Sequence, residues 1–226
     1  NTDPDAPLVN RVTQGTYPPG STFKVVTAIA AIDSGKYRAD TTVNGDSPKK
    51  ISGVPLNNDD GQSYGDITLS QALTNSVNTV FAKVALSVGA PTMAKYMARL
   101  GFGRDIPLDF PHDQIAPSGV YGGPNRSLVP ATDSHVDLGR MAIGQDKLLV
   151  TPLQMAQVAA AVANGGKLMK PHIGDRAVVR QHRHEIAGRR VHAHRARRAR
   201  QPHEVHVPAE RVARDRRPFP RDVRAV

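Results

Sequence analysis

The chain changes character at Gly174, and that break limits what can fold. Residues 1–174 carry 15 Lys+Arg against 14 Asp and contain no Glu, a near balance of +1. Residues 175–226 carry 15 Arg against 3 Asp and 3 Glu, so +9 of the net +10 lies there. That second part has no Leu, Lys, Ser, Thr, Asn, Tyr or Met. It shows no sustained helical or strand period of strongly apolar residues. Its apolar surface is too small to offset the entropy of ordering its backbone. A core must therefore come from residues 1–174. The uneven charge also excludes a uniformly basic protein that coats nucleic acid. Three readings remain for the tail: a disordered basic arm, a solvated region without a partner, and an out-of-frame translation of a GC-rich gene. The abrupt change and the Arg, Ala, Val, His and Pro usage favour the third.

The rest of the composition excludes more. With no Cys there are no disulfides, thiolate metal sites or Cys nucleophile. No apolar run reaches the length of a membrane-crossing helix. No secretory leader is seen, and the opening Asn1-Thr2-Asp3-Pro4-Asp5 lacks an initiator Met, as in a piece of a longer protein. Punctuation residues mark the elements. After the turn Tyr17-Pro18-Pro19-Gly20, Ser21 opens a helical run that ends at Asp33-Ser34-Gly35. Thr68 caps a helix over Leu69 to Thr74. A second helix runs from Asn78 to Val88 and stops at Gly89. Pro91 lies in the first turn of another that ends before Gly101. Thr151-Pro152 starts a helix ending at Asn164-Gly165-Gly166. Residues 36–67 and 103–135 read as loop, the former with short strands.

Two short motifs carry chemistry. In Ser21-Thr22-Phe23-Lys24 the i and i+3 positions share a helix face, so Ser21 Oγ and Lys24 Nζ converge while Phe23 points into the core. A serine hydroxyl needs an adjacent base, and a lysine with a lowered pKa can be one. Ser47-Pro48-Lys49-Lys50 has the same spacing in a loop, so spacing alone is weak evidence. Ser76-Val77-Asn78 lies between two helices and presents two polar side chains. Ser76 can relay a proton, and Asn78 can bond a substrate amide.

Together these segments resemble the penicillin-binding transpeptidases. Tyr17-Pro18-Pro19-Gly20-Ser21-Thr22-Phe23-Lys24 is similar to the family's active-site segment, and Ser76-Val77-Asn78 to its second motif. Ala142-Ile143-Gly144-Gln145, Thr151-Pro152-Leu153-Gln154-Met155-Ala156 and Ala163-Asn164-Gly165-Gly166 are similar to a third stretch. The resemblance covers about residues 7–173 and is nearest the class B type of high-GC Gram-positive bacteria. It implies an α/β fold of the serine β-lactamase-like kind, mainly its helical part with little of the central antiparallel sheet. It implies Ser21, Lys24 and Ser76 as catalytic residues, Asn78 as substrate-binding, and no cofactor or metal. Ser21 would attack D-Ala-D-Ala of a peptidoglycan stem peptide, and the acyl group would pass to an amine on a neighbouring stem. β-Lactams would acylate Ser21. The intact protein would be membrane-anchored, face outward and work beside other cell-wall synthesis proteins. No nucleic-acid partner is expected.

One departure bears on activity. No Lys or His in the chain is followed by Thr-Gly or Ser-Gly, so the family's Lys-Thr-Gly strand is missing. That strand also supplies half of the oxyanion hole. Impaired catalysis and exposed helix faces are therefore expected. Alternatives are a β-lactamase or D,D-carboxypeptidase, a β-lactam sensor and a non-catalytic basic binding protein. His112 and His135 read as loop residues, the tail's His-x-His pairs have the residue type of metal ligands, and Asp59-Asp60-Gly61 reads as a turn. If the tail is out of frame, the DNA downstream of codon 174 encodes Lys-Thr-Gly in another frame. An intact frame, with related genes encoding the same tail, would contradict that reading.

Overall fold

The computed structural model describes residues 9–174. The Arg-rich tail, its His pairs and the three readings given for it lie outside these residues. Among the described residues there are six α-helices: α1 (Lys24–Asp33), α2 (Leu69–Thr74), α3 (Asn78–Val88), α4 (Ala90–Arg99), α5 (Leu138–Met141) and α6 (Pro152–Ala163). Their ends follow the punctuation in the sequence. Thr68 Oγ1 accepts from Gln71 N, and the Gln71 side chain accepts from Thr68 N, a capping box that fixes the start of α2. Gly89, at φ 88°, ends α3, and Gly35, at φ 77°, follows the end of α1. Thr151 Oγ1 accepts from Gln154 N, and Pro152 occupies the first turn of α6.

α3 is the central helix. Eight of its residues are buried, including Val80, Phe81, Ala82, Val84 and Ala85, so it is covered on nearly every side. It packs against α1 and α5, and α1 packs in turn on α4. Small residues let the backbones approach. A Cβ at Gly139 of α5 would lie 2.5 Å from Ile51 and 3.5 Å from Ala82. A polar tie joins α1 to α4: Tyr96 Oη donates to Asp33 Oδ2 at 2.5 Å, and Arg99 donates to the same oxygen at 3.2 Å. Burial, with the Asp33 carboxylate beside it, raises the Tyr96 pKa.

Short antiparallel strands fill the segments expected as loop. β1 (Thr42–Asn44) pairs with β4 (Asp66–Thr68), and β2 (Lys49–Ile51) pairs with β3 (Val54–Leu56). Ser52 and Gly53, at φ 49° and 83°, make the two-residue turn between β2 and β3. Two elements were not foreseen: α5, and a three-stranded sheet in the order β6 (Leu128–Val129), β5 (Gly119–Tyr121), β7 (Leu148–Leu149). Two- and three-residue strands are too short for alternation to register. The expected class stands: helices with small antiparallel sheets and little of a large one. On α6, Ala156, Ala159, Ala160 and Val162 are all exposed. Among the described residues, no helix is long and apolar enough to cross a membrane.

Candidate active site

The site begins with a turn rather than an α-helix. Residues Gly20–Phe23 form a 3-10 turn that runs into α1, so Ser21 lies ahead of the α-helix proper. Gly20 takes φ 55°, a left-handed conformation that glycine adopts without steric cost. Its N–H donates to Gly144 O at 3.0 Å. The two backbones nearly touch, because a Cβ on Gly144 would fall 1.9 Å from Gly20 O. Tyr17 and Val150 exchange backbone hydrogen bonds at 2.9 Å, and Thr27 Oγ1 donates to Ala142 O at 2.7 Å. The 142–150 segment thus grips the nucleophile segment on both sides of Ser21. Phe23 is fully buried and meets Phe102 edge-on at 5.5 Å, pointing into the core as expected.

Ser21 is exposed, but Lys24, the first residue of α1, has no solvent exposure at all. Its Nζ lies 3.1 Å from Ser21 Oγ, 2.9 Å from Ser76 Oγ, 2.5 Å from Ser76 O and 2.6 Å from Asn78 Oδ1. Ser76 sits at the joint between α2 and α3 with φ 54°, unusual for a residue with a side chain. In this conformation both its carbonyl and its hydroxyl reach the same amine. The four expected residues are therefore brought together from two distant stretches of chain.

Asn78 enters the cluster in a way the sequence did not indicate. Its Oδ1 faces Lys24, while its Nδ2 donates to Asn57 O at 3.1 Å and Asp59 Oδ1 at 3.3 Å. Both N–H groups are thus engaged within the chain. Burial lowers the Lys24 pKa from 10.5 to about 8, against the opposing pull of the Asp59 charge.

The count of donors states what this arrangement can do. Ser76 O and Asn78 Oδ1 are acceptors only, so together they use two N–H groups of Lys24. A neutral amine has two N–H groups and one lone pair. Its lone pair is then left for the two hydroxyls, Ser21 Oγ and Ser76 Oγ. The neutral form satisfies both carbonyls and can still accept a hydroxyl proton.

The other sequence candidates stay apart. Lys50, the lysine of the second Ser-x-x-Lys match, is exposed in β2, and its neighbour Lys49 donates to Asn44 Oδ1. His135 pairs with Asp133 on the surface at 3.1 Å, and His112 is exposed. Asp59–Gly61 is a turn as read, with Asp60 at φ 53°. Among the described residues, no three His, Cys, Asp or Glu side chains gather as metal ligands would. The sequence reading missed Asn57, Asn58 and Asp59, which reach α3 only through the folded chain. It gave Gly144 and Gln154 no physical role. Buried Gln154 donates to Leu100 O at 2.8 Å and so ties α6 to the end of α4.

Comparison with known proteins points to one family. The family model for the penicillin binding protein transpeptidase domain matches residues 1–206, a span that runs past the break at Gly174. The chain is 38% identical over 175 residues to the peptidoglycan D,D-transpeptidase PbpA of Mycolicibacterium smegmatis, covering 76% of this chain and 33% of that protein. It is 29% identical over 175 residues to the peptidoglycan D,D-transpeptidase MrdA of Salmonella typhimurium, covering 76% of this chain and 28% of that protein. The chain thus spans about a third of the curated relatives it matches. Penicillin-binding protein A of M. tuberculosis, solved as an imipenem acyl-enzyme complex, superposes with TM-score 0.64 at 32% identity over 76% of this chain and 38% of that one.

The Gly20–Gly144 contact gives a direct test. Gly144 has φ 80°, and an added Cβ would strike backbone. Gly144→Ala is expected to lower stability by more than about 2 kcal/mol, read as a fall in the thermal unfolding midpoint. An unchanged midpoint would contradict the close approach.

Proposed function

The chain belongs to the penicillin-binding protein transpeptidase family, and from that membership we propose that it carries the serine acyl-transfer machinery of a peptidoglycan D,D-transpeptidase. The carrying observation is the exposed Ser21 hydroxyl 3.1 Å from the wholly buried Lys24 amine.

The steps follow from the donor count. Ser21 Oγ attacks the carbonyl carbon between the last two D-Ala residues of a stem peptide. Its proton passes to the lone pair of neutral Lys24 Nζ. The Ser21 N–H, at the start of the 3-10 turn where no acceptor within the helix is available, supports the developing oxyanion. When the C–N bond breaks, the proton returns from Lys24 through Ser76 Oγ to the departing amine of D-Ala. The acyl-enzyme is then attacked by an amine of a neighbouring stem. That amine loses a proton through Ser76 Oγ to Lys24, and Lys24 gives it to Ser21 Oγ as the ester bond breaks. Asn78 holds Lys24 in place. A β-lactam presents a similar acyl group, so it acylates Ser21 and stays attached.

Peptidoglycan lies outside the cytoplasmic membrane, so the intact protein faces outward, anchored to that membrane and working beside other cell-wall synthesis proteins. Without a Lys-Thr-Gly strand, acylation by this chain is slow. The expected result with a fluorescent penicillin is slow, saturable labelling that vanishes in Ser21→Ala and falls by about 10²–10⁴-fold in Lys24→Ala. Labelling that survives Ser21→Ala would contradict the assignment. A stem peptide supplied with an amine acceptor separates the reactions: a crosslinked product supports transfer, and hydrolysis alone supports a carboxypeptidase or β-lactamase.

A further inference from the structure

The mechanism above leaves one charged group beside the cluster without a part. Asp59 is exposed, in the loop ahead of β4, and its carboxylate reaches the back of the Asn78 amide. Building on the acyl-transfer reading, we propose that Asp59 is a positioning residue for Lys24. Its carboxylate holds the Asn78 amide with Oδ1 on the amine, and its negative charge governs how readily that amine gives up its proton.

The orientation of an amide is set by what faces each end. Turned the other way, Asn78 would put two N–H donors against the Lys24 amine, which has donors of its own. The acceptors on the far side, Asn57 O at 3.1 Å and Asp59 Oδ1 at 3.3 Å, select the orientation that places Oδ1 2.6 Å from Lys24 Nζ. These acceptors are not on a loose loop. Asn58, between them, is buried and bonded through its whole side chain. Its Nδ2 donates to Gly45 O at 2.9 Å and Gln62 O at 2.8 Å, and its Oδ1 accepts from Thr79 N at 3.0 Å. Its own N–H donates to Ser47 Oγ at 3.0 Å. Thr79 is the residue after Asn78, so the loop is tied to the same helical turn whose amide it orients.

The groups that touch the amine are neutral: Ser21 from the 3-10 turn, and Ser76 and Asn78 from the joint between α2 and α3. Among the described residues, Asp59 is the charged group whose field bears on Lys24, and it favours the ammonium. Burial favours the neutral amine and is the larger effect. The proton on Lys24 is thus held by a balance in which Asp59 is the adjustable part. Being exposed, it is the part that solvent and salt can reach.

The test reads Lys24 directly. Lysine 13Cε chemical shifts are followed against pH in the full chain, with the Lys24 signal assigned by its loss in Lys24→Met. Asp59→Asn removes the charge and is expected to move the Lys24 midpoint to lower pH. The neutral fraction at pH 7 then rises roughly two- to fivefold. Asp59→Glu keeps the charge and is expected to stay nearer wild type than Asp59→Asn. Asp59→Ala also loses the acceptor, so Ser21 labelling by a fluorescent penicillin slows severalfold even above the Lys24 midpoint. A purely structural Asp59 would change the unfolding midpoint and leave the Lys24 titration where it was. An unmoved Lys24 midpoint in Asp59→Asn overturns the proposal. Absence of Ser21-dependent labelling in wild type would instead count against the acyl-transfer reading, and the 13C titration would still decide the Asp59–Lys24 link.

Discussion

A lysine amine shut away from water is the constraint on which the site depends. Lys24 has no solvent exposure, and its pKa falls from 10.5 to about 8, a penalty on the order of 3 kcal/mol on its charged form. A buried ammonium is tolerated only when its hydrogens find partners. Ser76 O and Asn78 Oδ1 provide two, and the serine hydroxyls a third. The same set of partners also suits the neutral amine. Lys24 can therefore change protonation state without leaving a carbonyl unpaired, as a group that takes and returns a proton must.

The fold exists, at this end, to hold three short pieces of chain around that amine. Ser21 arrives on the 3-10 turn, Ser76 and Asn78 at the joint of two helices, and Asp59 on a loop fastened by Asn58. Each piece includes a residue in a left-handed conformation: Gly20, Ser76 and Asp60. For a residue other than glycine such a conformation costs of order 1–3 kcal/mol, and persists only where the surroundings enforce it. Here the enforcement is visible. Gly144 meets the Gly20 backbone, α3 is buried on nearly all sides, and Asn58 has its side chain fully bonded.

Much of this was legible in the sequence, and the reasons for the gaps are physical. Helix limits were readable because Thr68, Gly89, Pro91, Thr151 and Gly165 act on their own neighbours. The meeting of Ser21 with Lys24 was readable because it is three residues long. The joining of Ser76 and Asn78 to Lys24 came through family resemblance, since nothing local links residues more than fifty apart. Asn58 and Asp59 read as turn residues, and they are. Their second task, reaching Asn78, is a tertiary contact that leaves no periodic trace. Asn78 shows the reverse case: its place in the cluster was foreseen, but its bonding partners were not. α5 and the strands β5 to β7 are too short for any period to appear.

The central claim is that neutral Lys24 takes the proton of Ser21. The rate of Ser21 acylation by a penicillin, measured against pH on the full chain, tests it most directly. With a pKa of about 8, Lys24 is about one-tenth neutral at pH 7. The account predicts a rate that climbs about tenfold per pH unit below that point and levels above it. A rate that is flat between pH 6 and 9, or that falls as Lys24 loses its proton, would contradict it.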